Sequence, residues 1–168
     1  TGPYWGPNPT EIAFGPALPV GMESETEYLD LEIDPFADLP EITSGLNSAL
    51  PEGVRILETK VVAKKAPSLS GSISRYTYEV AIAAQYRDGT SERVREFLSR
   101  AWVIVTKEGK QKDIRPCIES ITAGPDHLLC TLIDHYQIKP RLQDVIEHLF
   151  GIGRDESLLF RVKRVGLY

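Results

Sequence analysis

Two cysteines, three histidines and a few pairs of opposite charge are the residues of this chain with the most chemical potential. Cys117 and Cys130 stand alone, and two thiols cannot by themselves supply the four ligands of a structural zinc or iron–sulfur site. Reduced thiols are the expected state, with Cys130 a small apolar residue inside an apolar strand. The histidines are His127, His135 and His148. None pairs with another at the i, i+4 or His-x-His spacing that aims two imidazoles at one metal, so neither a metal nor a cofactor is expected. No Ser–His–Asp or Cys–His arrangement and no glycine-rich phosphate loop after a strand can be assembled. The chain is therefore not expected to be an enzyme on its own.

Binding chemistry is better represented. Lys112, Asp113 and Arg115 precede Pro116 at the end of an expected strand. On a period-2 strand Asp113 and Arg115 share a face, either as an anion contact oriented by the carboxylate or as an exposed ion pair of small energetic value. Lys60, Lys64 and Lys65 form one basic cluster and Arg161, Lys163 and Arg164 another. Both lie on closing strands, where they could follow a phosphate backbone or stand as solvated charge. The proline- and glycine-rich start of the chain, with Asn8, Phe14 and Glu23, is a candidate rigid recognition edge or a stiff connection over a sheet edge. Glu23, Glu25 and Glu27 alternate, which reads as a solvated edge that discourages strand pairing.

The elements that must position these residues follow from periodicity. Glu11 to Phe14 is a short extended piece that could pair with a sheet, and Glu27 to Ile33 alternates apolar and acidic residues as a half-buried strand does. Asp34-Pro35 opens a helix with the stripe Phe36, Leu39, Ile42, Leu46 and Ala49, and Val54 to Ala63 reads as a strand. After a Ser/Pro/Gly-rich linker come a strand through Tyr76, Tyr78, Val80 and Ile82 and a helix from Ser91 to Ala101. Two strands then turn at Glu108-Gly109, and a hairpin turns about Gly124-Pro125-Asp126. A helix starting at Pro140 and a closing strand from Ser157 to Val165 complete the chain. Tyr76 and Tyr78 share a face with Val80 and Ile82, which places them in the core rather than on a stacking platform. This order predicts an α+β protein of two tandem ferredoxin-like (βαββαβ) halves, the first truncated at its N-terminus. Residues 1–66 are the truncated half with its Pro/Gly-rich loop, 67–74 the linker and 75–168 the second half.

The composition, 42% hydrophobic and 26% charged, is that of a globular protein. A net charge of −5 gives no bulk attraction to nucleic acid or anionic lipid. No apolar run approaches the roughly 20 residues of a membrane span, and no basic-then-apolar leader opens the sequence, so the expected address is the cytoplasm.

Several words are dispersed in order along the chain: Phe14-Gly15-Pro16-Ala17-Leu18-Pro19-Val20-Gly21, Glu23-Ser24, Glu27-Tyr28-Leu29-Asp30 and Leu50-Pro51-Glu52-Gly53-Val54. Lys65-Ala66-Pro67-Ser68-Leu69, Asp113-Ile114-Arg115-Pro116 and Gly166-Leu167-Tyr168 continue the series. With these the chain resembles the uncharacterised radical-SAM-linked C-terminal domain family, without that family's first strand and helix. The resemblance implies association with radical-SAM chemistry, of a kind often suspected to act on RNA. A radical-SAM core needs three closely spaced cysteines, which this sequence lacks. The leading expectation is thus a non-catalytic accessory module that binds the substrate or the radical-SAM partner. An RNA-binding domain acting with an RNA-modifying enzyme is the alternative, and an independent acid–base enzyme around Asp113, Arg115 and His135 a further one. A second copy of the chain could cap the exposed sheet edge as a homodimer.

Overall fold

The computed structural model describes residues 12–33, 37–63 and 65–168. Its elements are strands β1 (Ile12–Phe14), β2 (Glu23–Ser24) and β3 (Leu29–Leu31), helices α1 (Leu39–Ala49) and α2 (Leu69–Ser72), strand β4 (Arg75–Ala81), and helices α3 (Ala84–Arg87) and α4 (Thr90–Ser99). Strands β5 (Ile104–Lys107), β6 (Lys110–Asp113), β7 (Ile118–Ala123) and β8 (His127–Ile133) follow, then helices α5 (Leu142–Phe150) and α6 (Arg154–Ser157) and strand β9 (Val162–Leu167). The chain is a mixed α+β protein. None of its described helices is long and apolar enough to cross a membrane.

The main sheet has five strands in the order β2-β9-β4-β8-β7. Its last four are mutually antiparallel neighbours, whereas β2 joins β9 in parallel. Alternation along the central strands explains the layering. Tyr76, Tyr78 and Val80 of β4 and Leu128, Cys130 and Leu132 of β8 are buried in one core with Val94 and Phe97 of α4 and Val145, Ile146 and Leu149 of α5. The intervening residues, Arg75, Thr77 and Glu79 among them, lie on the opposite side of the sheet. There Thr77 and Thr131 share a hydroxyl hydrogen bond and Arg75 pairs with Glu119. The two tyrosines are thus core residues, as their register predicts.

Several boundaries differ from the periodicity. The stretch 54–63 joins no sheet, although its composition suits a strand. A ladder needs a neighbour, and here the backbone N–H and C=O of Ile56 are taken instead by the side-chain amide of Asn47 on α1. Helix α1 buries none of its residues. The segment before β4, expected as linker, contains α2. Helix α5 begins at Leu142 with Arg141 as N-cap, not at Pro140. The closing strand begins at Val162, because residues 154–157 form α6 first. Elements of the first half make no four-stranded sheet of their own among the described residues. β1 pairs only with β3, and β2 adds to the C-terminal sheet.

Burial also makes the stability of the fold sensitive to alkaline pH. The Cys130 thiol, deep in the core, is pushed from 9.0 up to about 12 by desolvation. Burial, then the nearby Asp134 carboxylate that accepts its hydrogen bond, raise the Tyr76 hydroxyl from 10.0 to about 12. Both groups stay protonated in the folded chain where the unfolded chain has released its protons. Their contribution is therefore complete below pH 9 and is lost as pH rises toward about 12. Melting temperatures should fall through that window, and Tyr76→Phe should shallow the upper part of the decline.

Candidate recognition edge and basic cleft

The N-terminal motif is fixed to the sheet by one arginine. A bulge between Thr77 and Tyr78 shifts the β4–β9 register so that Tyr78 stands opposite Arg164. Arg164 is only 2% exposed, although it was expected as part of a solvated basic cluster. Its guanidinium donates to the carbonyl of Pro16 at 2.9 Å, to that of Ala17 at 3.0 Å and to the Glu27 carboxylate at 3.0 Å. It also lies 5.7 Å from the Tyr78 ring centre and 6.0 Å from that of Tyr76. A planar fork of donors satisfies several acceptors at once, which a lysine could not do. Its Nε is buried without an acceptor among the described residues.

The acidic stretch does not keep strands away, as its alternation had suggested. β2 pairs with β9, Glu23 opposite Lys163 and Ser24 opposite Arg164. Opposite charges make that pairing favourable: Arg161 meets Glu23 at 3.3 Å and Lys163 meets Glu25 at 2.8 Å. The bond to Glu25 raises the Lys163 amine above its ordinary pKa. Such exposed pairs add little stability, but they neutralise the basic end of β9. Lys60 is likewise paired, with Glu58 at 3.1 Å. Lys65 is exposed, and Asn8 and Lys64 lie outside the described residues.

What the clamp presents is apolar. Phe14 is 71% exposed and Val20 fully so, with Ile12 and Leu29 exposed on the β1–β3 ribbon and Tyr28 exposed just before β3. The stretches 14–21, 23–24 and 27–30 that carry the family resemblance come together in this edge.

Asp113 and Arg115 do not pair with each other, and each is engaged by backbone groups. The strand stops at Asp113, and residues 115–117 form a 3-10 turn. One Asp113 oxygen accepts the backbone N–H groups of Val103 and Arg115. The Arg115 side chain donates to the carbonyls of Leu98 and Ile118. Both side chains therefore tie backbone together, while Arg115 Nε is buried with no acceptor among the described residues. His148 is held between the carbonyls of Asp144 and Ile104, His127 pairs with Asp126, and His135 lies edge-on to Tyr136. Among the described residues no group of three or more His, Cys, Asp or Glu side chains is placed to hold a metal ion.

Sequence reasoning missed a second feature. Lys112, singled out beside Asp113, instead lines a cleft of about 130 Å³ with Lys107, Lys139 and Arg141, and with Asp144 as its carboxylate. The signal was present in the sequence. Glu108 and Gly109 both have positive φ, 52° and 73°, as a two-residue hairpin turn requires. That turn fixes the register that gathers the lysines on one face.

The profile of a family described as "Uncharacterized protein conserved in bacteria (DUF2344)" matches residues 6–153. No curated protein and no solved structure matches the chain. Since the profile spans most of the sequence, the chain belongs to this family of uncharacterised bacterial proteins.

Proposed function

We propose that the chain is a non-catalytic accessory module of a radical-SAM system, and that it docks its radical-SAM partner through the edge formed by residues 12–31. The observation that carries this reading is the clamped edge itself. Exposed Ile12, Phe14, Val20, Tyr28 and Leu29 stand on a loop and ribbon that a buried arginine holds in one position. Apolar side chains fixed in advance lose little conformational entropy on association, which favours protein recognition. The partner's identity comes from the resemblance, whose stretches 14–21, 23–24 and 27–30 form this edge. The ferredoxin-like reading of residues 75–168 is supported by the run β4-α4-β7-β8-α5-β9 with strand order β9-β4-β8-β7.

The RNA-binding alternative is less well supported. The basic end of β9 is engaged by Glu23 and Glu25, Lys60 is paired with Glu58, and Tyr76 and Tyr78 face the core. The test is quantitative capture of the radical-SAM protein by the chain and by Phe14→Ser/Val20→Ser. Both substituted side chains are exposed, so the melting temperature should hold while capture falls about tenfold, the equivalent of 1.4 kcal/mol. Equal capture by the two proteins would remove the edge from the account.

A further inference from the structure

The β5–β6 hairpin gathers its lysines on one face. Lys107 stands opposite Lys110 and Val105 opposite Lys112. Side chains alternate along a strand, so all three lysines leave the ribbon on the side of Val105, which is buried. Like charges directly opposite one another repel. Among the described residues no carboxylate stands within ion-pair distance of Lys107, Lys110 or Lys112. This face forms one wall of the cleft, and residues 137–141 with the first turn of α5 form the other.

Two further features place positive potential there. Helix α5 has nine residues, and its N-cap Arg141 supplies no capping side-chain bond, so its first turn adds the positive end of the helix dipole. Asp144, the carboxylate of the cleft, is already held by Arg141 through Nε at 2.9 Å and has the Arg154 guanidinium 3.9 Å from it. Lys139 lies 3.9 Å from Asp134, at the limit of an ion pair. Among the described residues, Lys107 and Lys112 are left without a counter-charge in a chain whose net charge is −5.

We propose that this cleft binds a phosphate group, presented as a phosphomonoester or a diphosphate. Its volume of about 130 Å³ far exceeds the roughly 10–15 Å³ that admits one water, and suits a single compact anion rather than a polymer track. A phosphomonoester carries a charge of about −1.5 to −2 near neutral pH, with oxygens that several ammonium groups can share. A phosphodiester, with a single charge, would leave more of the lysine repulsion uncompensated. The assignment is independent of the docking edge.

Inorganic phosphate and pyrophosphate titrated calorimetrically into the purified chain at low salt are the direct probes. Pyrophosphate should bind with a dissociation constant of about 1 mM or below. Lys112→Glu and Lys139→Glu should each weaken it about tenfold, while Lys65→Glu leaves it unchanged. Melting curves of the variants, all at exposed positions, report that the fold is kept. A single-stranded oligonucleotide with a 5′-phosphate, compared with its 5′-hydroxyl form, separates the two sources of the group. Preference for the phosphorylated end assigns a nucleic-acid terminus. Pyrophosphate binding without binding of either oligonucleotide assigns a small molecule. Equal binding of both oligonucleotides would overturn the monoester assignment. Absence of phosphate and pyrophosphate binding, or binding that Lys112→Glu leaves intact, would overturn the site.

Discussion

Arg164→Met is expected to cost about 3 kcal/mol and to release the loop over residues 15–22 while the core remains folded. The substitution keeps bulk but removes every donor. The carbonyls of Pro16 and Ala17 and the carboxylate of Glu27 lose their shared partner together. Breaking a buried ion pair from one side costs about 3–5 kcal/mol, and the lower end applies here because the Glu27 side chain is 42% exposed and can rehydrate. Arg164→Lys keeps the charge, but its single ammonium cannot reach all three acceptors, so it should recover only part of the loss. Denaturant unfolding gives the energy, and limited proteolysis together with amide exchange at Glu25, whose N–H bonds the carbonyl of Arg164, reports the loop. A loss below about 1 kcal/mol, the level of an exposed pair, would mean that the clamp does not hold the edge.

Phe97→Ala should be the most damaging substitution of a core side chain. Phe97 is 1% exposed and lies in the layer between the sheet and helices α4 and α5. Truncating a buried phenylalanine costs about 3–5 kcal/mol, from lost transfer free energy and the cavity left behind. For a domain of this size each kcal/mol lowers the melting temperature by about 2–4 °C, so a fall of roughly 10 °C is expected. Phe97→Leu should retain more than half of that stability. If Phe97→Ala left the melting temperature unchanged, the packing of α4 on the sheet would be wrong.

Strands with one buried face were legible because their period is enforced by that burial. The run through Tyr76, Tyr78 and Val80 and the strand at His127–Ile133 appear nearly where alternation put them. Helix ends were less legible. Pro140 looked like a first helical residue, yet Arg141 has extended backbone and the helix starts at Leu142. The stretch 54–63 has the composition of a strand, but composition cannot provide the neighbour that a ladder requires.

The candidate sites were harder to read, for a physical reason. Charge in sequence does not reveal whether a side chain meets solvent, a carboxylate or a backbone carbonyl. Arg115 and Arg164 looked like surface cations and are backbone clamps. Glu23 and Glu25 looked like repellent edge charge until β9 brought Arg161 and Lys163 to them. The lysine face of the β5–β6 hairpin could have been read from the Glu108-Gly109 turn and the period of 2, because both are local.

The central claim concerns the partner. The decisive measurement is capture by the tagged chain from its native lysate, with and without ribonuclease, scored for protein identity and for RNA. The account predicts a protein bearing the three-cysteine radical-SAM cluster motif, recovered equally after ribonuclease. Recovery of RNA without such a protein, or loss of that protein on ribonuclease treatment, would contradict it.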